Sequence, residues 1–301
     1  CISAAFSTNI SLCLFIVMVL MLIAVLALGK ETKGATRWLD LGIIKMQPSE
    51  LAKIAFALIA TKILSVKEKI EISHNKKFLI TTGYFIIFAV LIALQRDLGT
   101  IVFLAIIYTV MLLIHGFTLK RIFITDTIFG IAAAVLTYKQ SFRMVRINDY
   151  LPALLDWTKS SDNVRNAIIA LGSGGLLGKG CGQSEMKLLH LPEAHTDFIF
   201  PIIGEELGFL GVLIIVFSFV YIMLKAFKIS EQCDDYFGKN LSFTIGIMFA
   251  VQAAINTGMS IGVLPAKGMP LPFISYGGSS MLYSLITIGI LLNISRKNKY
   301  E

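Results

Sequence analysis

Apolar and polar positions along this chain fall in long blocks rather than alternating residue by residue. Apolar runs occupy about 9–29, 49–66, 78–94, 98–115, 121–138, 206–227, 241–262 and 278–295. A hydrocarbon layer about 30 Å thick takes roughly 17–25 residues of helix, so each run is long enough to cross it. Inside that layer the backbone must bond to itself, which a helix does. The pattern predicts an all-α polytopic membrane protein: a single domain over 1–301, about eight transmembrane helices, short connections and one large loop over 139–205.

Composition agrees. At 56% hydrophobic and 15% charged residues, with mean hydropathy +0.78, the 301-residue chain is too apolar for a soluble domain, where about 45–50% apolar is usual even with glycine counted. A net charge of +8 would point a soluble protein toward nucleic acid. Here the basic residues fill short loops and act as orientation signals, so no nucleic-acid partner is expected. Segments 62–77, 116–121, 225–239 and 296–301 hold 13 Lys/Arg, against 6 in the short loops opposite, so the first set is expected in the cytoplasm and 139–205 outside. Cys1, Cys13, Cys181 and Cys233 show no metal-ligand spacing, and only Cys181 falls in an outer loop, so no disulfide framework is expected. The chain opens on Cys1 with no basic segment before its first apolar run; an N-terminally incomplete chain is expected, with a processed lipoprotein cysteine as the alternative.

Candidate chemistry concentrates in 188–211, LLHLPEAHTDFIFPIIGEELGFLG, which gathers Glu193, His195, Asp197, Glu205 and Glu206 just before an apolar run. Ionisable groups near a bilayer lose hydration, so their density there favours use over mere solvation. Glu205 and Glu206 have a second reading, as acids at the positive end of the next helix. In GATRWLDLGIIKMQPSELAK, Ser49 or Gln47 is placed near a helix cap, and Glu50 and Lys53 fall one turn apart. That pair reads as a neutralising ion pair, as part of a polar cavity, or as a snorkelling lysine beside an acid. Asp97 in QRDLGT is either a helix cap or a functional group.

The large loop carries Arg143 and Arg146, then Asn148, Asp149, Tyr150 and Trp157, and reaches GSGGLLGKGCG at 172–182. Its glycines do not meet GxxxxGK[ST], and eight helices leave no βαβ unit for GxGxxG, so no nucleotide loop is present. They are expected to form a flexible, closely packed re-entrant or surface loop, tolerated at membrane depth only against protein or a watery cavity. In GVLPAKGMPLPFISYGGSS three prolines stiffen the chain, and Lys267 is an interfacial anchor or an anion contact.

The segments KGATRW, QPSELAK, DLGT, ALGSGGLLGKG, LPEAHTDFIF with IGEELGFLG, and LPAKGMPLPFISYGGSS, taken in order, closely resemble the SEDS family (shape, elongation, division and sporulation), membrane glycosyltransferases that polymerise the bacterial cell wall. LPEAHTDFIF and LPAKG look more like the division branch than the elongation branch. The resemblance implies ten spans with both ends cytoplasmic, two of them missing here, in a multi-pass protein of the bacterial cytoplasmic membrane at the division septum. It places the catalytic aspartate on Asp197, cavity residues on Glu50, Lys53 and Asp97, and a further lysine on Lys267. Two positions depart from the family: Arg165-Asn166 stands where Gln-Ser is common, and Arg96 where proline often precedes DLGT.

The implied substrate is lipid II, a disaccharide-peptide on a polyprenyl pyrophosphate. A sugar hydroxyl would attack the anomeric carbon of another chain, which calls for a base and for positive charge beside the leaving group. Asp197 suits the first role, with His195 as a rival base. Arg143, Arg146, Lys53 and Lys267 are candidates for the second. No dedicated cofactor is expected, with a divalent cation, Mg or Mn, as the candidate helper. The implied partners are a single-pass class B penicillin-binding transpeptidase, other division proteins and membrane lipid. The competing functions are a lipid II flippase and a division scaffold without catalysis.

Overall fold

In a computed structural model the described residues are 8–32, 35–40, 42, 45–66, 73–138, 144, 150–153, 155–189, 191–265 and 268–297. Cys1, Gly34, Arg143, Arg146, Asn148, Asp149 and Lys267 lie outside them.

Helices stand over each apolar run: α1 (Thr8–Leu28), α2 (Pro48–Leu64), α3 (His74–Leu94), α4 (Leu98–Ile114) and α5 (Leu119–Tyr138), and later α8 (Ile199–Glu231), α9 (Tyr236–Ser260) and α10 (Gly278–Lys297). Between them lie α6 (Asp162–Ser173) and α7 (Met186–Leu189). Five helical stretches among the described residues, Ile10–Leu28, His74–Leu94, Ile199–Glu231, Tyr236–Ser260 and Gly278–Arg296, are long and apolar enough to cross a membrane, and Leu98–Ile114 is a shorter apolar helix. The chain is an all-α polytopic membrane protein. It divides into two compact units, one of Cys1–Thr127, Met223–Met248 and Gly278–Glu301, the other of Ile128–Ile222 and Phe249–Gly277.

In the first unit α2 packs against α1, α3, α4 and α10. Nearly all of its residues are buried, because Ala52, Ala55, Ala57 and Ala60 let neighbouring backbones come close while Phe56 fills the space they leave. Phe56 meets Phe85, Phe88 and Tyr108, with ring centroids 5.9–6.3 Å apart. A small antiparallel sheet precedes α2, in the order β1 (Lys30–Thr32), β2 (Ala35–Asp40), β3 (Lys45–Met46). Its strands were not predicted: two of them are only two or three residues long, too short to show a period of two.

In the second unit the interval 139–205 is more than a connection. Trp157–Lys159 forms a 3-10 turn, and α6 buries Val164, Ala167 and Ala170, one helical turn apart. Ala167 packs with Leu191, Ala194, Phe198 and Ile202. A second cluster joins Phe200, Phe219, Ala253 and Leu271. These two cores flank the 191–198 segment and fix where its polar groups stand.

Candidate functional site

Lys53 and Glu50 form an ion pair 2.8 Å long, with side chains 0% and 4% exposed. Their i, i+3 spacing on α2 puts them on one face. The Lys53 ammonium lies 4.5 Å from the Tyr283 ring centroid and 4.9 Å from that of Phe103, so two aromatic faces meet a desolvated cation. Complete burial does not fit the snorkelling reading and leaves the ion-pair and polar-cavity readings. Asp97, also buried, caps α4 by accepting from the Thr100 amide at 3.3 Å and its hydroxyl at 2.9 Å. It also accepts from Ser49 Oγ and Gln47 Nε2, each at 3.4 Å. Gln47, not Ser49, is the N-cap of α2, and its side chain makes no capping bond. The main-chain amide of Gln47 donates to Ser279 Oγ at 2.9 Å.

In the second unit, Asp197 is part-buried on a turn leading into α8, and His195 is exposed. Three successive main-chain carbonyls of this turn are held: that of His195 accepts from the Tyr276 amide at 2.9 Å, that of Thr196 from Ser275 Oγ at 2.6 Å, and that of Asp197 from Asn256 Nδ2 at 2.9 Å. Glu193, with φ 60°, turns the chain so that its carbonyl accepts from the Thr196 and Phe198 amides. The Asp197 carboxylate lies against Gly268: a methyl group there would stand 2.6 Å from Oδ2, so an alanine would force the carboxylate to shift.

Four of the grouped glycines, Gly174, Gly175, Gly178 and Gly180, lie beside a break in α8. At Gly208 the backbone turns to φ 68°, ψ −166°, a conformation closed to other residues, and the helical ladder is interrupted. The glycine segment repairs it. The amides of Lys179 and Gly180 donate to the carbonyls of Glu205 and Glu206 at 2.9 and 3.0 Å, while the Phe209 and Leu210 amides donate to Gly175 and Leu176 carbonyls at 2.9 and 3.3 Å. Glu205, fully buried, clamps the segment: it accepts from Lys179 Nζ at 2.8 Å, Ser184 Oγ at 2.6 Å and the Glu185 amide at 3.3 Å. The hydrogen bond to Glu205, then the charges of Glu205 and Glu185, hold the Lys179 ammonium above its ordinary range. The close-packing expectation for the glycines is met. The helix-end reading of the glutamates is not, because α8 begins at Ile199 and has no acid in its first turn.

The predicted residues thus fall in two groups, Glu50, Lys53 and Asp97 in one unit and His195 and Asp197 in the other. Arg143, Arg146 and Lys267 lie outside the described residues. Among the described residues no three His, Cys, Asp or Glu side chains converge as a metal site, so a donor set of protein side chains alone is not met there. Sequence reasoning missed Asn256, Gln252, Ser275 and Gly268. Two buried amides at i, i+4 inside an apolar run were the available signal.

Fold and site together define a multi-pass membrane protein that presents a carboxylate on a loop braced through its main chain. The chain belongs to the FtsW/RodA/SpoVE family, whose model, described as "Cell cycle protein", matches residues 1–300. Among its relatives, the probable peptidoglycan glycosyltransferase FtsW of Shewanella sediminis is 39% identical over 290 residues, covering 95% of this chain and 70% of that protein. Its counterpart in Geobacter sp. is 36% identical over 281 residues, covering 92% and 76%. Of solved structures, the rod shape determining protein RodA of Thermus thermophilus superposes with TM-score 0.71 at 25% identity, covering 97% of this chain and 79% of that one. A chain from a structure concerning polymerisation and crosslinking by a peptidoglycan synthase complex superposes with TM-score 0.78 at 22% identity, covering 98% and 83%, and shares the fold.

Proposed function

We propose that this protein is a peptidoglycan glycosyltransferase that polymerises lipid II during bacterial cell division, with Asp197 as its general base. The observation that carries the site assignment is the braced turn: the carbonyls of His195, Thr196 and Asp197 are each held from 256–276, so the Asp197 side chain stands at a fixed place on a part-exposed surface. Family membership and relatives named as peptidoglycan glycosyltransferases support the reaction class. In the reaction a sugar hydroxyl forms a bond to the anomeric carbon, the proton passes to the Asp197 carboxylate, and the bond to the lipid pyrophosphate breaks with its electron pair on the phosphate oxygen. Base assistance of this kind contributes roughly 10²–10⁴-fold. Lys53, neutralised by Glu50 and buried, is the weakest of the cationic candidates for the leaving group; Arg143, Arg146 and Lys267 keep that role. A divalent cation is the remaining candidate helper.

The protein works from the bacterial inner membrane at the septum beside a single-pass class B penicillin-binding transpeptidase, with both termini in the cytoplasm and 139–205 outside. Cys181 is exposed, and an impermeant maleimide reaching it in intact cells tests the orientation. Cys233 is buried and would stay unlabelled on either side. The decisive assay gives labelled lipid II to purified full-length protein, with and without the transpeptidase, and scores glycan and translocation separately. Asp197→Asn should cut polymerisation at least 100-fold while partner binding persists. Translocation without glycan from the parent protein would establish a flippase, and partner binding with neither activity a scaffold.

A further inference from the structure

We infer that Asn256 is a positioning residue for glycan transfer, holding Asp197 through its main chain; the inference rests on the reading of Asp197 as base. Asn256 is fully buried in α9. Its Nδ2 donates to the Asp197 carbonyl at 2.9 Å and to the Met269 carbonyl at 2.7 Å. The two acceptors belong to different loops, so one amide ties the turn carrying the carboxylate to the segment that carries Gly268. Two carbonyls facing the amide also settle its orientation, since only the NH₂ end can donate to both.

The other end of the side chain sharpens the point. Asn256 Oδ1 is buried and finds no hydrogen-bond partner among the described residues. A buried acceptor left unmade costs stability that an apolar side chain would not incur, so an amide here is explained by the two bonds it donates. One turn earlier the fully buried Gln252 donates to the Pro270 carbonyl at 2.9 Å, bracing the same loop on the same face of α9. Ser275 works from the loop itself, accepting from the Leu271 amide at 2.7 Å and donating to the Thr196 carbonyl. Of these, Asn256 touches Asp197 itself. Its loss would let the turn and the Gly268 segment separate, and the carboxylate would no longer face an acceptor hydroxyl in a fixed direction.

The test uses full-length Asn256→Ala and Asn256→Asp proteins, with Ser284→Ala as a control that removes a buried hydroxyl in the other unit. Three quantities are measured: kcat and KM on labelled lipid II, amide hydrogen exchange over 193–200, and melting temperature. The Asn256 variants should exchange at least tenfold faster over 195–199. Their kcat should fall roughly 10–100-fold, as expected when a reacting group is misplaced by an ångström, with KM within about twofold of the parent. The control should change neither. Asn256→Asp keeps the volume and decides the matter should the alanine variant not fold. Parent-like exchange and kcat in a folded Asn256 variant would overturn the inference. So would a fall in kcat that matches the control's at equal loss of melting temperature. Asp197→Asn in parallel separates the two readings: if it keeps parent turnover, the base assignment fails and this inference with it. If Asp197→Asn is inactive and Asn256→Ala is not impaired, the positioning inference alone fails.

Discussion

Glu50 and Asp97 in one unit and Asp197 in the other are held in different ways, whereas Glu205, also in the second unit, is buried and paired with Lys179 much as Glu50 is with Lys53. Glu50 and Asp97 are buried within helix starts, and side chains answer them: Lys53 for one, Thr100, Ser49 and Gln47 for the other. Asp197 stands part-exposed on a turn, and the bonds that fix it go to main-chain carbonyls. The contrast separates two uses of a carboxylate. A buried acid with an opposite charge at 2.8 Å one turn along the same helix has its charge neutralised by that partner. Around Asp197 the rigidity of the turn comes from the bonds that its main-chain carbonyls accept.

Substitutions on either side test this contrast. The largest stability effect is expected for Glu50→Gln, which strands the Lys53 charge and should destabilise by about 3–5 kcal/mol, read as a fall in melting temperature against an exposed acid such as Asp162→Asn. Replacing both partners by apolar residues of similar size should recover most of that loss; recovery of stability without turnover would give the pair a part in the reaction. Next comes Gly268→Ala, whose methyl group would press on the Asp197 carboxylate. Turnover should fall about 100-fold, the effect of an ångström-scale misplacement, while the melting temperature moves little. Unchanged turnover would show that the carboxylate position is not critical. The smallest effect is expected for Asp97→Ala at the α4 cap, about 0.5–2 kcal/mol in thermal unfolding. A collapse of turnover with that modest loss would move Asp97 from the structural to the chemical side of the comparison.

Legibility followed the same division. Helices were visible because apolar runs are long, and Glu50 with Lys53 because i, i+3 spacing on a helix is contact by geometry. The cap made by Asp97 showed itself only through the Thr100 bonds. Asp197 stood out through its neighbours and family resemblance, yet its braces were hidden. Asn256, Gln252 and Ser275 lie some sixty to eighty positions away and bond to carbonyls, which every residue possesses and no sequence pattern marks. The extent of α8 was likewise hidden, since its first turns carry Pro201, Glu205 and Glu206 and resemble a connection.

The break at Gly208 also sets an order of assembly. Four backbone groups around it are satisfied by 175–180, so this part of α8 cannot complete its hydrogen bonding from its own residues. A polar backbone left open in an apolar layer is strongly unfavourable. The segment that closes it is synthesised first, so the mould exists before the helix emerges. A circular permutation that moved 172–187 behind α8 would reverse that order, and the helix would then wait, unsealed, for its complement.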